Sequence, residues 1–135
     1  MNIEWTEDLT TNSDQIDTQH QEMFRRFARF QAACEEGKGK KDIYNLLEFL
    51  EEYIISHLAL EEKIQLDTSY PGYDAHKAEH DGFIRQFKQM KDYLASVGST
   101  NTLVIETNLT LVNWLIHHIK GTDRTFAEFL QNNKQ

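Results

Sequence analysis

Residues 57–80 read HLALEEKIQLDTSYPGYDAHKAEH, and the rest of the chain can be understood from this stretch. It holds two pairs of metal-binding residue types, each spaced by four residues: His57 with Glu61, and His76 with His80. Four residues bring an α-helix back to within about 40° of its starting direction, so both members of a pair point the same way. A turn signal ending in Pro-Gly separates the pairs. A helix, a tight turn and a second helix would make the two pairs face each other, as a metal site requires.

Apolar residues of helical period predict four helices, at roughly 18–36, 41–66, 73–96 and 102–120. Each predicted helix carries at least one histidine on the stripe that should be buried. The short connections favour an antiparallel arrangement. The predicted fold class is all-α: an up-down-up-down antiparallel four-helix bundle with an N-terminal arm and a short C-terminal helix.

The whole chain, residues 1–135, is predicted to be one domain. Residues 1–16 would form an extended arm, and residues 17–135 the bundle and its tail. Asp17 or Thr18 is the expected cap of the first helix. Residues 98–101 (Gly-Ser-Thr-Asn) are predicted to form a loop and the start of the fourth helix.

Composition excludes several classes of partner. The formal net charge of -8 argues against nucleic acid and against an anionic membrane surface. The chain has no apolar run near the 18 or so residues of a transmembrane span, and its first residues show no secretory signal. Its one cysteine, Cys34, is typical of a reducing compartment. The sequence therefore predicts a cytoplasmic location, without a nucleic-acid or membrane partner.

Seven residues from the four helices and the tail could converge in the core. A single buried histidine is as often an ordinary core residue as a ligand, but five imidazoles with Glu61 would cost several kcal/mol to bury without partners. One metal ion does not need so many ligands, whereas two ions bridged by carboxylates would use them all. Imidazole and carboxylate without thiolate suit iron, manganese or zinc. The candidate ligands are His20, His57, Glu61, His76, His80, His118 and Asp123.

Two known metal patterns are absent: the Glu-x-x-His repeat of ferritin-like di-iron proteins and the His-Glu-x-x-His of zinc proteases. The chain resembles the hemerythrin family instead, in particular the stand-alone bacterial hemerythrins. The resemblance rests on Trp5 in the arm and on four motifs: IDTQH ending at His20, HLALEE from His57, HKAEH from His76, and WLIHHIKGTD from Trp114.

The resemblance implies two iron ions per chain (Fe²⁺/Fe³⁺) with a bridging oxo or hydroxo group. His76, His80 and His118 would bind one iron, and His20 with His57 the other. Glu61 and Asp123 would bridge them, and the iron with two histidines would keep a position open for dioxygen. Leu115 matches the family's oxygen-pocket leucine. Met23 and Leu58, beside ligands in the sequence, are expected further wall residues, although ordinary core packing explains them equally well.

Four details of the sequence allow separate expectations. His117 stands where the family often has asparagine, and it should point about 100° away from His118 and bind no metal. Glu62 is expected to be a solvated charge. Asp17 could orient His20, although capping is the simpler role. On an ideal helix the five-residue step from His118 to Asp123 is too wide for both to reach one metal pair, so the backbone should be irregular there, near Gly121. The simpler alternative is that Gly121 ends the helix and Asp123 caps the next one, on the surface.

The leading functional hypothesis is reversible dioxygen binding for storage, delivery or sensing, with no catalytic residues. One alternative is a di-iron enzyme with peroxidase, oxidase or nitric oxide-handling activity. A second is an oxygen- or iron-responsive regulatory module. The enzyme needs a proton donor near Leu115, and the sequence shows no acidic residue beside it.

Overall fold

A computed structural model describes residues 3–11, 13–97 and 102–132 of the chain. Every regular element in these residues is helical. The predicted loop at residues 98–101 lies outside them. A 3₁₀ turn, Glu7–Leu9, precedes the first helix, and a π-helical turn, Ile119–Asp123, follows the fourth. The α-helices are α1 (Asp14–Glu35), α2 (Lys40–Asp67), α3 (Tyr73–Val97), α4 (Thr102–His118) and α5 (Arg124–Asn132).

The first four helices close into a bundle. Helix α1 packs against α2 and α4, and α3 packs against the same two helices from the other side. This arrangement confirms the predicted helical bundle. The buried side chains follow the predicted stripes, with Phe27, Leu47, Phe83 and Leu111 at most 2% exposed. None of the described helices is both long and apolar enough to span a membrane.

Helix α1 begins earlier than the sequence predicted. Its N-cap is Ser13, whose hydroxyl accepts a hydrogen bond from the Ile16 amide at 3.4 Å. The expected caps, Asp17 and Thr18, lie inside the helix. Asp17 is buried and binds back to the arm, because its Oδ1 accepts from the Thr11 amide at 2.9 Å and from the Thr11 hydroxyl at 2.8 Å. The arm is therefore shorter than the predicted 1–16, since residues 14–16 belong to α1.

The described part of the arm packs against the helices. Ile3 and Trp5 pack against the core, and Leu9 is buried in it. The side chain of Arg124 donates to the Thr10 carbonyl at 3.3 Å, and Lys120 Nζ lies 2.8 Å from Asp8 Oδ2. The arm is thus attached to the C-terminal part of the chain, next to the π-helical turn.

Two tight turns set the order of the first three helices. After α1, Gly37 adopts a φ of 70°, and Lys38 N donates to the Ala33 carbonyl at 3.1 Å. This hydrogen-bond pattern is the Schellman ending, in which glycine is favoured because it lacks a Cβ. After α2, Ser69 takes a φ of 55° and Tyr70 N donates to the Gln65 carbonyl at 2.9 Å. The second turn brings the start of α3 back beside the end of α2.

Candidate metal centre

The backbone widens where the sequence predicted an irregular helix. Residues Ile119–Asp123 form a π-helical turn, and the amide of Arg124 donates to the carbonyl of Ile119, five residues earlier. A π turn returns to the same side after about five residues instead of four. His118 and Asp123 therefore both face the core, at 4% and 1% exposure. This confirms the predicted distortion and excludes an exposed Asp123.

The seven candidate ligands are brought together in one half of the bundle, and all of them are buried. They form two sets of ligand atoms close enough to surround a metal ion: Glu61 and Asp123 with three histidines, and Glu61 with two histidines. The three-histidine group is His76 and His80 of α3 with His118 of α4. The two-histidine group is His20 of α1 with His57 of α2. The carboxylates of Glu61 and Asp123 lie between the two groups.

Glu61 directs one oxygen at each group. Its Oε1 lies 2.7 Å from His76 Nε2 and 3.3 Å from His80 Nε2. Its Oε2 lies 3.5 Å from His57 Nε2. The four-residue spacing from His57 to Glu61 allows this arrangement, because both side chains leave α2 on the same face.

Asp123 divides its oxygens in the same way. Its Oδ1 lies 2.9 Å from His76 Nε2 and 3.0 Å from His118 Nε2. Its Oδ2 lies 3.0 Å from His20 Nε2. Both carboxylates thus have the orientation of bridges between two positions, and all five histidines turn Nε2 toward the centre.

The residues fit a pair of metal ions better than a network of hydrogen bonds. Two ligand atoms about 2.1 Å from one ion at right angles lie about 3.0 Å apart, which is the spacing of the Nε2–oxygen pairs here. Both oxygens of Glu61, Oδ1 of Asp123 and Nε2 of His20 and His80 are buried close to one another or to further ligand atoms, but they form no well-directed hydrogen bond among the described residues. Buried polar atoms are rarely left in this state, and metal ions would satisfy them.

In the metal-free centre the carboxylates favour their ionised form, whereas the histidines differ. Burial and Asp123 both disfavour ionised Glu61, but His76 and His80 outweigh them and hold the pKa of Glu61 below its usual value. The pKa of Asp123 is lowered further, because His118, His20 and His76 outweigh the effect of burial.

Burial lowers the pKa of His57 to about 4, so this imidazole is neutral, as a ligand must be. Burial lowers the pKa of His76, but Asp123 and Glu61 outweigh it and raise that pKa to about 9, so a metal ion would displace a proton from His76. Burial also lowers the pKa of His118, but Asp123 outweighs it and the pKa is raised.

Two acidic side chains lie behind the three-histidine group. Glu62 Oε2 is 2.9 Å from His80 Nδ1, and Glu79 Oε1 is 3.0 Å from His118 Nδ1. The hydroxyl of Thr122 donates to both oxygens of Glu79 at 3.0 Å. The expectation that Glu62 is a solvated charge was wrong, because its side chain is only 18% exposed and contacts a candidate ligand.

At His57 and His76 the Nδ1 atoms contact neutral amide side chains instead of carboxylates. The Gln19 Oε1 atom contacts His57 Nδ1. Gln65 Nε2 lies 2.7 Å from His76 Nδ1, while Gln65 Oε1 has no hydrogen-bond partner in residues 3–11, 13–97 and 102–132. Rotating the Gln65 amide by 180° exchanges these two atoms. His76 Nδ1–H would then donate to Gln65 Oε1 and leave Nε2 free for a metal.

The two residues that could have confused the ligand assignment are accounted for. His117 is exposed, and its Nδ1 contacts the Asn113 carbonyl at 2.8 Å. It belongs to neither metal-binding set. Asp17 does not orient His20, because it binds Thr11, and no described residue partners His20 Nδ1.

The three residues expected to line an oxygen pocket are buried in the main core. Leu115, Met23 and Leu58 are 2%, 1% and 4% exposed. Met23 follows His20 by one helical turn on α1, and Leu115 precedes His118 by one turn on α4. Met23 and Leu115 therefore lie on the same faces of their helices as His20 and His118.

Four side chains contact the Nδ1 atoms of the histidines. Sequence reasoning missed three of them, Gln19, Gln65 and Glu79, and assigned the fourth, Glu62, to solvent. A usable signal exists for three of the four, because Gln19, Glu62 and Glu79 each stand directly beside a candidate ligand in the chain. A neighbour on a helix points about 100° away, which in a bundle is toward the adjacent helix. A polar residue in that position can therefore reach a ligand of the next helix.

Comparison with known proteins agrees with this geometry. The family described as the hemerythrin HHE cation binding domain matches residues 11–130. A bacteriohemerythrin of Pseudomonas aeruginosa (strain LESB58) is 29% identical over 128 residues, covering 95% of this chain and 81% of that protein. One of Stenotrophomonas maltophilia (strain R551-3) is 27% identical, covering 92% and 78%. The myohemerythrin of Theromyzon tessulatum is 28% identical, covering 89% and 87%. With the family profile spanning nearly all of the bundle that carries these histidines and carboxylates, the chain belongs to the hemerythrin family.

Proposed function

We propose that this protein holds two iron ions at the buried centre and binds dioxygen there reversibly. His76, His80 and His118 would bind one ion, His20 and His57 the other, and Glu61 and Asp123 both. An oxo or hydroxo group would complete the bridge. Membership of the hemerythrin family supports an iron-containing, oxygen-binding protein. The domain of residues 1–135 is proposed to act as a single unit.

One observation carries the proposal. Each carboxylate presents one oxygen to the three-histidine group and the other to the two-histidine group. A single zinc ion would need four ligands at most and would leave the remaining buried imidazoles without partners. Two bridged positions use all seven residues, and imidazole with carboxylate suits iron.

The two metal positions differ in how many ligands the chain supplies to each. The three-histidine group provides three imidazoles and two bridging oxygens, whereas the two-histidine group provides one imidazole fewer. The position at His20 and His57 therefore keeps room for a small exogenous ligand. A pair of ferrous ions, when bound, supplies the two electrons that dioxygen accepts.

The surrounding residues favour reversible binding over turnover. Leu115, Met23 and Leu58 are proposed as the apolar wall that excludes water and proton donors from the bound ligand. None of these three side chains can donate a proton. Storage, delivery and sensing are all compatible with this chemistry. The cytoplasmic location and the absence of nucleic-acid and membrane partners stay predictions.

The test is metal analysis together with an optical spectrum. Protein produced with adequate iron should contain two irons per chain. The anaerobically reduced protein should be colourless, gain a visible absorption band in air, and lose it when oxygen is removed. One zinc per chain and no iron would contradict the proposal. A spectrum that changes irreversibly in air, with rapid consumption of a reducing substrate, would favour the enzyme instead.

A further inference from the structure

The Nδ1 atoms of the ligand histidines, which face away from the centre, contact side chains in a regular order along the chain. The Nδ1 partner of each histidine comes from the preceding helix: Gln19 of α1 for His57 of α2, Gln65 and Glu62 of α2 for His76 and His80 of α3, and Glu79 of α3 for His118 of α4. His20 is the exception: it lies on α1, the first of the described α-helices, and its Nδ1 has no partner in the described residues.

This order distributes charge unequally between the two positions. The acidic partners, Glu62 and Glu79, both lie behind the three-histidine group. The two-histidine group has one neutral amide, at His57, and His20 Nδ1 has no partner in the part of the chain that the structure describes. A carboxylate behind a ligating imidazole raises the basicity of the imidazole and attracts the cation beyond it, whereas an amide only fixes the ring.

Both acidic partners are held in place by a second contact. Lys77 Nζ lies 3.7 Å from the other oxygen of Glu62. Thr122 donates to Glu79 from inside the π-helical turn, four residues after His118. Glu79 therefore contacts both His118 and Thr122, and it supports the widened backbone that turns Asp123 inward.

We propose that Glu62 and Glu79 are positioning residues that make the three-histidine position the tighter of the two metal sites, so that it fills first. The inference rests on the proposed function, because it assumes that the centre takes two ions. It concerns residues outside the metal-binding set, which act through His80 and His118. Outer partners of this kind change metal affinity by about 10- to 100-fold when they are replaced.

The experiment uses the metal-free full chain and Co²⁺, which can be followed anaerobically by its visible bands against a competing chelator. The parent protein should bind two ions in distinguishable steps. Glu62→Gln and Glu79→Gln remove the charge and keep a hydrogen-bond acceptor. Each should weaken the tighter step about tenfold or more and leave the weaker step unchanged.

Two further variants separate charge from fold. Glu52→Gln removes the same charge at an exposed position of α2 and should change neither step. Gln19→Glu adds a carboxylate behind His57 with almost unchanged shape. It should strengthen the weaker step about tenfold, and a gain in affinity cannot come from a damaged fold. The temperature of unfolding of each metal-free variant provides the structural control.

The outcomes divide clearly. If Glu62→Gln and Glu79→Gln bind Co²⁺ as Glu52→Gln does, the inference is wrong even though two ions bind. The same holds if these substitutions weaken the second step instead of the first. A parent protein that binds fewer than two ions overturns the proposed function, and the inference with it.

Discussion

The strongest test of the ligand assignment compares two adjacent histidines. His118→Ala should weaken metal binding and lower the metal-dependent stability of the protein, whereas His117→Ala should change neither. His118 is 4% exposed, with its Nε2 3.0 Å from Asp123 Oδ1. His117 is exposed and contacts only the backbone of its own helix among the polar contacts described. The two substitutions are chemically identical and differ only in which way the side chain points.

The size of the effect follows from linkage between binding and folding. Loss of an outer partner weakens a metal site by about 10- to 100-fold, so loss of a direct ligand should reach at least about 100-fold. Each factor of ten corresponds to about 1.4 kcal/mol, so a 100-fold loss is about 2.8 kcal/mol at saturating metal. An unfolding entropy of roughly 2.1 cal/mol/K per residue gives roughly 0.28 kcal/mol/K for the 135 residues. The metal-bound protein should therefore unfold about 10 °C lower after His118→Ala.

The assay must separate ligation from packing. His118 stacks on Trp114 with ring centroids 4.6 Å apart, so its removal also leaves a gap in the metal-free protein. The quantity to compare is the rise in unfolding temperature that ferrous iron produces, measured anaerobically by calorimetry for each variant. The reasoning is refuted if His118→Ala keeps the full rise, or if His117→Ala loses as much of it.

Three further predictions concern the metal, the cysteine and the core. Chelating the metal should lower the unfolding temperature by more than about 10 °C, since a ligand at 1,000 times its Kd adds about 4.1 kcal/mol; equal temperatures in calorimetry with and without iron would argue against a buried site. Burial raises the pKa of Cys34 from 9.0 to about 11, so below pH 9 its thiolate is about 100-fold scarcer in the folded protein. Iodoacetamide should accordingly label Cys34 at least that much more slowly in the native protein than in urea, and equal rates would show an accessible thiol. Asn108 donates to Gln31 at 2.8 Å, but its own Oδ1 is buried without a hydrogen-bond partner from any residue that the structure describes. Gln31→Leu alone should cost about 1–3 kcal/mol in urea unfolding, and adding Asn108→Leu should recover most of it; a double variant less stable than the single one would contradict this.

Helical spacing was sufficient to predict the bundle and the groups of residues that meet in it. The four-residue steps in HLALEE and HKAEH put each pair on one face, and the structure has both pairs on buried faces. The five-residue step from His118 to Asp123 required a widened turn, and a π-helical turn is present. These inferences work because the direction of a side chain on a helix depends only on its position in the sequence.

The start of α1 and the surroundings of the site depended on contacts distant in sequence. Ser13 and Asp17 are both good caps, and no local rule decides between them. Asp17 is used instead by Thr11 of the arm, which leaves Ser13 as the cap. Within α2, the residue type and position of Glu62 are those of a solvent-exposed charge. The packing of α3 against α2 places His80 beside it.

The sequence by itself therefore determined the helices, their buried faces and most of the residues that converge, since these follow from periodicity within each segment. Asp123 departs from that periodicity, and the π-helical turn before it brings it to the centre. Tertiary structure alone decided which carboxylate oxygen faces which histidine group, and which side chain lies behind each imidazole. Those relations join atoms on different helices. They depend on the rotation and axial offset of one helix against another, which are fixed by side-chain packing across the whole core.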